Sequence, residues 1–252
     1  MAAEQSAHGG VQSVDRVLDL LELMADADGE TSLSQLAAAS GLPLPTIHRL
    51  VATLVRRGYV RRLPSRRYAL GPRLVPLGET AGRALGASAR PHLAGLVEAL
   101  GETANLAMLD GEMVVYVAQV PSHHSMRMFT EVGRRVHMHS TGVGKAVLAQ
   151  LTDEAVHTVV ERAGLPRQTP RTITDLEDLS GELDAIREQG YAVDDGEQEV
   201  GVRCYAVPVP GAPTPAALSI SGPDTRVDAD AGGRVVPVLR DAAAALAASI
   251  GP

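Results

Sequence analysis

The segment SLSQLAAASGLPLPTIHRLVATLVRRG, Ser32 to Gly58, constrains the fold more than any other stretch of the chain. Ser32 and Gln35 have the spacing of a capping box, in which the hydroxyl takes one orphan N–H and the amide returns to the N-cap N–H. Gly41 can end that helix in a left-handed conformation. After the turn at Gly41, Leu42 and Pro43, Pro45 suits the first turn of a second helix, where a backbone N–H has no intrahelical acceptor to lose. Ile47, Leu50, Val51, Leu54 and Val55 then make one apolar stripe, and Gly58 closes it. Two helices joined by so short a turn are a helix-turn-helix. Upstream, Val14, Val17, Leu18, Leu21 and Met24 recur at helical spacing and predict a helix from Ser13 to about Ala25, with Ser13 as its N-cap.

Past Gly58 the period changes. YVRRL reads as a strand, PSRR as a turn and YAL as the returning strand, which makes a basic hairpin, or wing. The net charge of −7 looks wrong for a nucleic-acid binder. Its distribution reverses that impression. From Thr31 to Gly78 there is no Asp or Glu, while Arg49, Arg56, Arg57, Arg61, Arg62, Arg66, Arg67 and Arg73 all fall there. One-sign clustering of this kind is the footprint of phosphate contact. Pro45, Thr46, His48 and Arg49 open the second helix of the pair, the part that enters a major groove in such folds. There Arg reads guanine and Thr meets a thymine methyl or a phosphate. Arg66 and Arg67 at the wing tip are placed for phosphate or the minor groove. The expected partner is double-stranded DNA. With 2% aromatic residues and no Trp, stacking on single strands is not expected.

No apolar run reaches the length of a membrane span, the N-terminus lacks the pattern of a secretory signal, and Cys204 has no partner cysteine. The expectation is a cytoplasmic protein with no membrane partner. Residues 71–90 place Leu74, Leu77, Ala81 and Leu85 at spacings of three and four, which suits a helix packed either on its own domain or on a second chain.

The remainder alternates helices and strands. ARPHLAGLVEALG, GVGKAVLAQL, TDEAVHTVVERAG, DLEDLSGELDAIREQG and RVVPVLRDAAAALAASI read as helices. TANLAMLD and MVVYVAQV read as a hairpin turned at Asp110-Gly111. SMRMFTEVG, RRVHMHS, YAV, CYAVPV and PAALSIS read as extended, giving a mostly antiparallel α+β domain. Within it, Gly142 and Val143 stand where a loop becomes a helix, so their N–H groups face an anion without an internal acceptor. Asp194 follows the strand YAV, Cys204 opens CYAVPV, and Ser219 and Ser221 share one strand face by period two. Amide donors, two hydroxyls, a thiol and a carboxylate suit a small hydroxy- or oxo-acid.

Other chemistries fit less well. GVGKA lacks the first glycine and the Mg²⁺-binding hydroxyl of a phosphate loop. His123, His124, His137 and His139 come without the cysteine cluster or HExxH of a metal site, and nothing in the sequence places a base beside Cys204. No catalytic residue, metal or cofactor is expected.

VQSVDRVLDLLELMA, then SLSQLAAASGLPLPTIHRLVATLVRRGYV, HSTGVGKAVLA and GYAVDDGEQEVGVRCYAVPV stand in an order that closely resembles the IclR family of bacterial regulators, from about Val11 to Ile250. The resemblance implies an α+β chain with a winged helix-turn-helix over residues 11–72, a linker helix over 73–89 and a GAF-like effector-binding domain over 90–252, with 1–10 as a disordered tail. It also implies a homodimer or dimer of dimers on a palindromic operator. The ligand constellation looks like that of the allantoin/glyoxylate-responsive branch, which carries effector contacts onto Gly142, Val143, Asp194, Cys204, Ser219 and Ser221. The function so implied is a repressor whose operator affinity responds to glyoxylate or an allantoin-pathway ureide. A regulator responding to an aromatic acid and an enzyme using the C-terminal cleft are the competing expectations.

Overall fold

In the computed structural model, residues 11–27, 29–128 and 130–250 are described. The expected disordered tail, 1–10, lies outside them. The chain divides into two compact units after Ala81.

The first unit opens with α1 (Gln12–Asp26), α2 (Leu33–Ser40) and α3 (Leu44–Arg57). The capping box forms as the spacing demands: Ser32 Oγ accepts from Gln35 N–H at 3.2 Å, and Gln35 Oε1 accepts from Ser32 N–H at 3.0 Å. Gly41 caps α2 with φ +66, a conformation that penalises a side chain. Helix α3 starts at Leu44, so Pro45 is its second residue. Ile47, Val51 and Leu54 are its buried face, packed with Leu36 of α2 and with Leu20 and Met24 of α1.

Two expectations for α1 are corrected. Val11, not Ser13, is the N-cap, and no side chain caps the helix. Of the expected stripe Met24 is buried and Val17 and Leu21 are partly buried, but Leu20 joins them in the core, and Val14 and Leu18 are each 52% exposed. The helix has more apolar positions than one face can bury, and docking on α2 and α3 selects among them.

Strands β1 (Val60–Arg62) and β2 (Tyr68–Leu70) pair antiparallel as the wing. Thr31 adds a third edge by exchanging two backbone bonds with Tyr68, at 2.9 and 2.8 Å. Helix α4 (Leu74–Gly86) follows and runs across the division between the units.

The second unit holds α5 (Arg90–Leu100), β3 (Thr103–Asp110), β4 (Met113–Val120), β5 (Arg135–His137), α6 (Gly142–Leu148), α7 (Asp153–Ala163), α8 (Leu176–Gln189), β6 (Ala192–Asp195), β7 (Val202–Pro208), β8 (Ala216–Pro223) and α9 (Gly232–Ile250). The sheet order is β5-β4-β3-β8-β7-β6, antiparallel at every pairing. The hairpin turn is Gly111-Glu112, since Asp110 already pairs with Met113. Residues 125–133, expected to be extended, form no strand among those described, and RRVHMHS keeps only Arg135–His137. The alternation of RRVHMHS outlasts its pairing, which ends where His137 meets Met113, the first residue of β4.

Both faces of the sheet are covered. Leu93, Leu96 and Val97 of α5 and Val235, Leu239 and Leu246 of α9 pack on Leu106, Tyr205, Val207, Leu218 and Ile220. On the other face Val143, Ala146 and Val147 of α6 and Leu179, Leu183 and Ile186 of α8 pack on Ala107, Ala192, Ala206 and Ala217. On the central strands β3, β7 and β8 the first face carries Leu106, Tyr205, Val207, Leu218 and Ile220, and the second carries the alanines Ala107, Ala206 and Ala217. That asymmetry brings α6 close to the strands and leaves room for polar groups between them. Among the described residues no helix is long and apolar enough to cross a membrane.

Candidate DNA-binding surface and effector site

On α3, Pro45, His48 and Arg49 are exposed and Thr46 is half-buried, all on the side opposite Ile47, Val51 and Leu54. Arg56, Arg57, Arg61 and Arg62 are exposed nearby in sequence, at the end of α3 and on β1. At the wing tip Arg66 is exposed and holds φ +64, an uncommon conformation for a residue other than glycine. Arg67 behaves differently. Its Nη2 donates to Glu30 O at 2.7 Å and to Gln35 Oε1 at 3.2 Å, and its Nε lies 3.4 Å from the Glu30 carboxylate. It therefore ties the wing to the start of α2. Glu30 is the last acid before the acid-free stretch, a position that could have drawn attention to this tether.

The effector candidates come from four elements. Asp194 of β6, Cys204 of β7 and Ser221 of β8 occupy one cross-strand row, which Thr103 of β3 extends. The next row on the same face carries Ser219 and Asn105. Asn105 Nδ2 donates to Ser219 Oγ at 3.4 Å, and its Oδ1 accepts from Gln119 Nε2 at 3.0 Å. Over this face lies the start of α6. A Cβ on Gly142 would stand 2.9 Å from Cys204 Sγ, so only glycine lets the helix come this near. Thr141 Oγ1 accepts from Gly144 N–H at 3.1 Å, while the first N–H groups of the helix, from Gly142 and Val143, have no intrahelical acceptor. Gly142, Asp194, Cys204, Ser219 and Ser221 thus converge on one patch, with Val143 buried beside Gly142.

Burial governs the electrostatics of this patch. It pushes the Cys204 thiol up to about 12, with Asp194 adding to the rise and the serine hydroxyls opposing it, so the sulfur is a neutral thiol. Burial also raises Asp194 to about 7 against the bonds from Glu197 N–H at 2.7 Å and Gln198 N–H at 3.3 Å. The Tyr116 phenol is raised for the same reason, with Cys204 and Asp194 contributing. Beside them Lys145, 1% exposed, places Nζ 2.6 Å from Glu197 and 2.9 Å from Glu182.

Tyr116, Asn105, Gln119 and Lys145 were missing from the sequence reading. Period two from Ser219 and Ser221 through the β3 pairing would have reached Asn105, but Lys145 was seen only as part of a rejected phosphate loop. His139 lies beyond the end of β5, and its ring meets that of His137 edge to face with centroids 5.6 Å apart.

Both units match known domain families. Residues 13–64 match the IclR helix-turn-helix domain, and residues 80–248 match the bacterial transcriptional regulator IclR C-terminal domain. The transcriptional repressor IclR of Escherichia coli is 38% identical over 235 residues, covering 90% of this chain and 86% of that protein. The HTH-type transcriptional repressor AllR of Salmonella typhi is 33% identical over 254 residues, covering 99% and 93%. The crystal structure of an IclR homologue from Microbacterium hydrocarbonoxydans, complexed with 4-hydroxybenzoate, superposes with a TM-score of 0.77 at 27% identity, covering 94% of this chain and 98% of that one.

Proposed function

Since this chain belongs to the IclR family of DNA-binding transcriptional regulators, we propose that it is a repressor whose hold on its operator is altered by a small carboxylic acid, such as glyoxylate, or an allantoin-pathway ureide. Pro45, Thr46, His48 and Arg49 enter the major groove, with Arg49 reading a base edge. Arg66 meets the sugar-phosphate backbone, and Arg67 takes part at the wing while its bonds to Glu30 and Gln35 set the angle of the hairpin. Two copies act together, since operators read by such helices are two-fold repeats. Val75 and Leu77 on α4, 59% and 53% exposed, are apolar surface a second copy would cover.

The effector contacts assigned here are the N–H groups of Gly142 and Val143, the hydroxyls of Ser219 and Ser221, the Cys204 thiol and Asp194. The observation that carries this reading is their convergence from α6, β6, β7 and β8 onto one buried patch. The approach of Gly142 to Cys204 favours a ligand of few atoms, which is why a short acid is preferred to the aromatic acid held by the Microbacterium relative. The ligand acts by binding one conformation better than the other, and a coupling of about 1–3 kcal/mol changes operator occupancy roughly 5- to 150-fold.

A gel shift on DNA upstream of the chain's own gene, repeated with glyoxylate, allantoin and allantoate, tests this. The expected result is a retarded band that one of the three weakens. A band that none of them changes refutes the effector assignment, and no band at any salt refutes the DNA-binding one.

A further inference from the structure

The effector site contains a carboxylate of its own, an odd neighbour for an acidic ligand. Resting on the effector reading above, we propose that a small carboxylate enters this site together with one proton, which Asp194 takes up and holds against the ligand. Asp194 is 4% exposed and stands in one row with Cys204 and Ser221. Its Oδ1 accepts both backbone bonds, from Glu197 and Gln198, so a proton on this group sits at Oδ2.

Among the described residues, the groups around Asp194 offer no cation that is not already engaged by another group. Strand β7 offers the neutral Cys204 thiol, and β8 offers the hydroxyls of Ser219 and Ser221. Strand β4 offers the Tyr116 phenol, on which the exposed Arg134 acts. The turn after β6 brings Glu197, a further carboxylate. The cation acting on Asp194 is Lys145 of α6, and its ammonium is already shared between Glu197 and Glu182.

Two carboxylates confined to one buried site do not both ionise, and one of them keeps a proton. The protonated partner then donates to the ionised one, a charge-assisted bond that is shorter and stronger than a neutral one. Burial has already brought Asp194 near neutrality, so little further work is needed to protonate it around pH 7. The ligand, a stronger acid, stays ionised and faces the N–H groups of Gly142 and Val143. Effector sensing is thereby linked to pH: acidification strengthens the response to an acid and leaves the response to a neutral ligand of the same size unchanged.

The test is calorimetric titration of the full-length protein with glyoxylate from pH 6 to 9. At pH 8 it is run in both phosphate and Hepes, whose ionisation heats differ. The wild type should lose affinity about fivefold from pH 7 to 8 and about tenfold from 8 to 9, with close to one proton taken up at pH 8. Asp194→Asn keeps an acceptor for the two N–H groups and places a permanent donor where the proton would sit. It should bind with an affinity independent of pH, show the same heat in both buffers, and outbind the wild type at pH 8.5. Wild-type binding with flat affinity and buffer-independent heat overturns the proton linkage and leaves the pocket assignment standing. A wild-type slope that persists in Asp194→Asn overturns the assignment of the proton to Asp194. Absence of binding by either protein at pH 6, where the acid should bind best, overturns the glyoxylate reading and the linkage with it. Should Asp194→Asn fail to fold, as circular dichroism would reveal, the two-buffer measurement on the wild type alone still decides.

Discussion

The two units set out their candidate functional groups in opposite ways. The helix-turn-helix unit displays them: Arg49, Arg56, Arg57, Arg61, Arg62 and Arg66 are exposed charges, supplied by one helix and one hairpin. The effector unit hides them: Asp194, Cys204, Ser219 and Ser221 are buried and come from three strands beneath a helix start. On the proposed function, the difference follows from the partners. A duplex is a dense line of charge met at the surface, where solvated cations bind it without being stripped of water. A ligand of a few atoms offers little area, so discrimination has to come from buried donors and acceptors that are costly to leave unpaired.

The contrast has measurable consequences, and the largest is in salt. Operator affinity should fall about a thousandfold or more between 50 and 200 mM salt if six to ten phosphates are neutralised. Effector affinity should barely change over the same range, because its contacts are sheltered from counterions. A steep salt dependence of effector binding would erase the distinction. Next in size is Arg49→Ala, which should lower operator affinity about ten- to hundredfold with an unchanged circular-dichroism spectrum. No change at any salt would remove Arg49 from the recognition surface. Cys204→Ala and Ser221→Ala should each weaken effector binding about tenfold in calorimetry, the worth of one buried bond, while ligand-free operator binding stays as it was. A normal response in both would move the pocket elsewhere.

A further effect is expected in the pH dependence of stability. Burial raises Asp194 to about 7, so folding favours its protonated form. Its contribution is fully present below the unfolded value near pH 4 and is lost as pH rises through about 7. Asp194→Asn should therefore melt above the wild type at pH 8, and the gap should close as the pH falls toward 4. A gap that stays constant with pH would show that the carboxylate is not the cause. Smallest is Ser32→Ala, which removes half of the capping box and should cost about 1 kcal/mol, read as a lower Tm of the first unit. An unchanged Tm would mean that packing of Leu36 and Ile47 alone holds α2 in place.

The sequence was most legible where structure is local. The capping box, the Gly41 and Gly58 caps, the α3 stripe and the wing hairpin each depend on residues a few positions apart, and all four form. Legibility failed where a partner element had to choose. Helix α1 is legible as a helix, but Leu20 joins Met24 on its buried face while Val14 and Leu18 of the expected stripe stay exposed. Arg67 looked like the twin of Arg66 until Glu30, far away in sequence, drew its guanidinium inward. In the effector unit, period two put Ser219 and Ser221 on one face. Asn105, opposite Ser219 on β3, and Tyr116, opposite Ala107 on β4, were reachable only through strand pairings that no local signal specifies.

What the amino-acid order determined alone is the set of helices and hairpins around the recognition helix, and the concentration of arginine there. Local propensities and charge density need no third dimension to be read. What tertiary structure decided is which carboxylate is stripped of water. Asp194 and Asp195 are neighbours in the chain, yet one is buried beneath α6 and held near neutral pH, and the other pairs with Arg171 and Arg203 at the surface. Burial and nearby charge belong to the assembled fold, and those two quantities set the chemistry of the effector site.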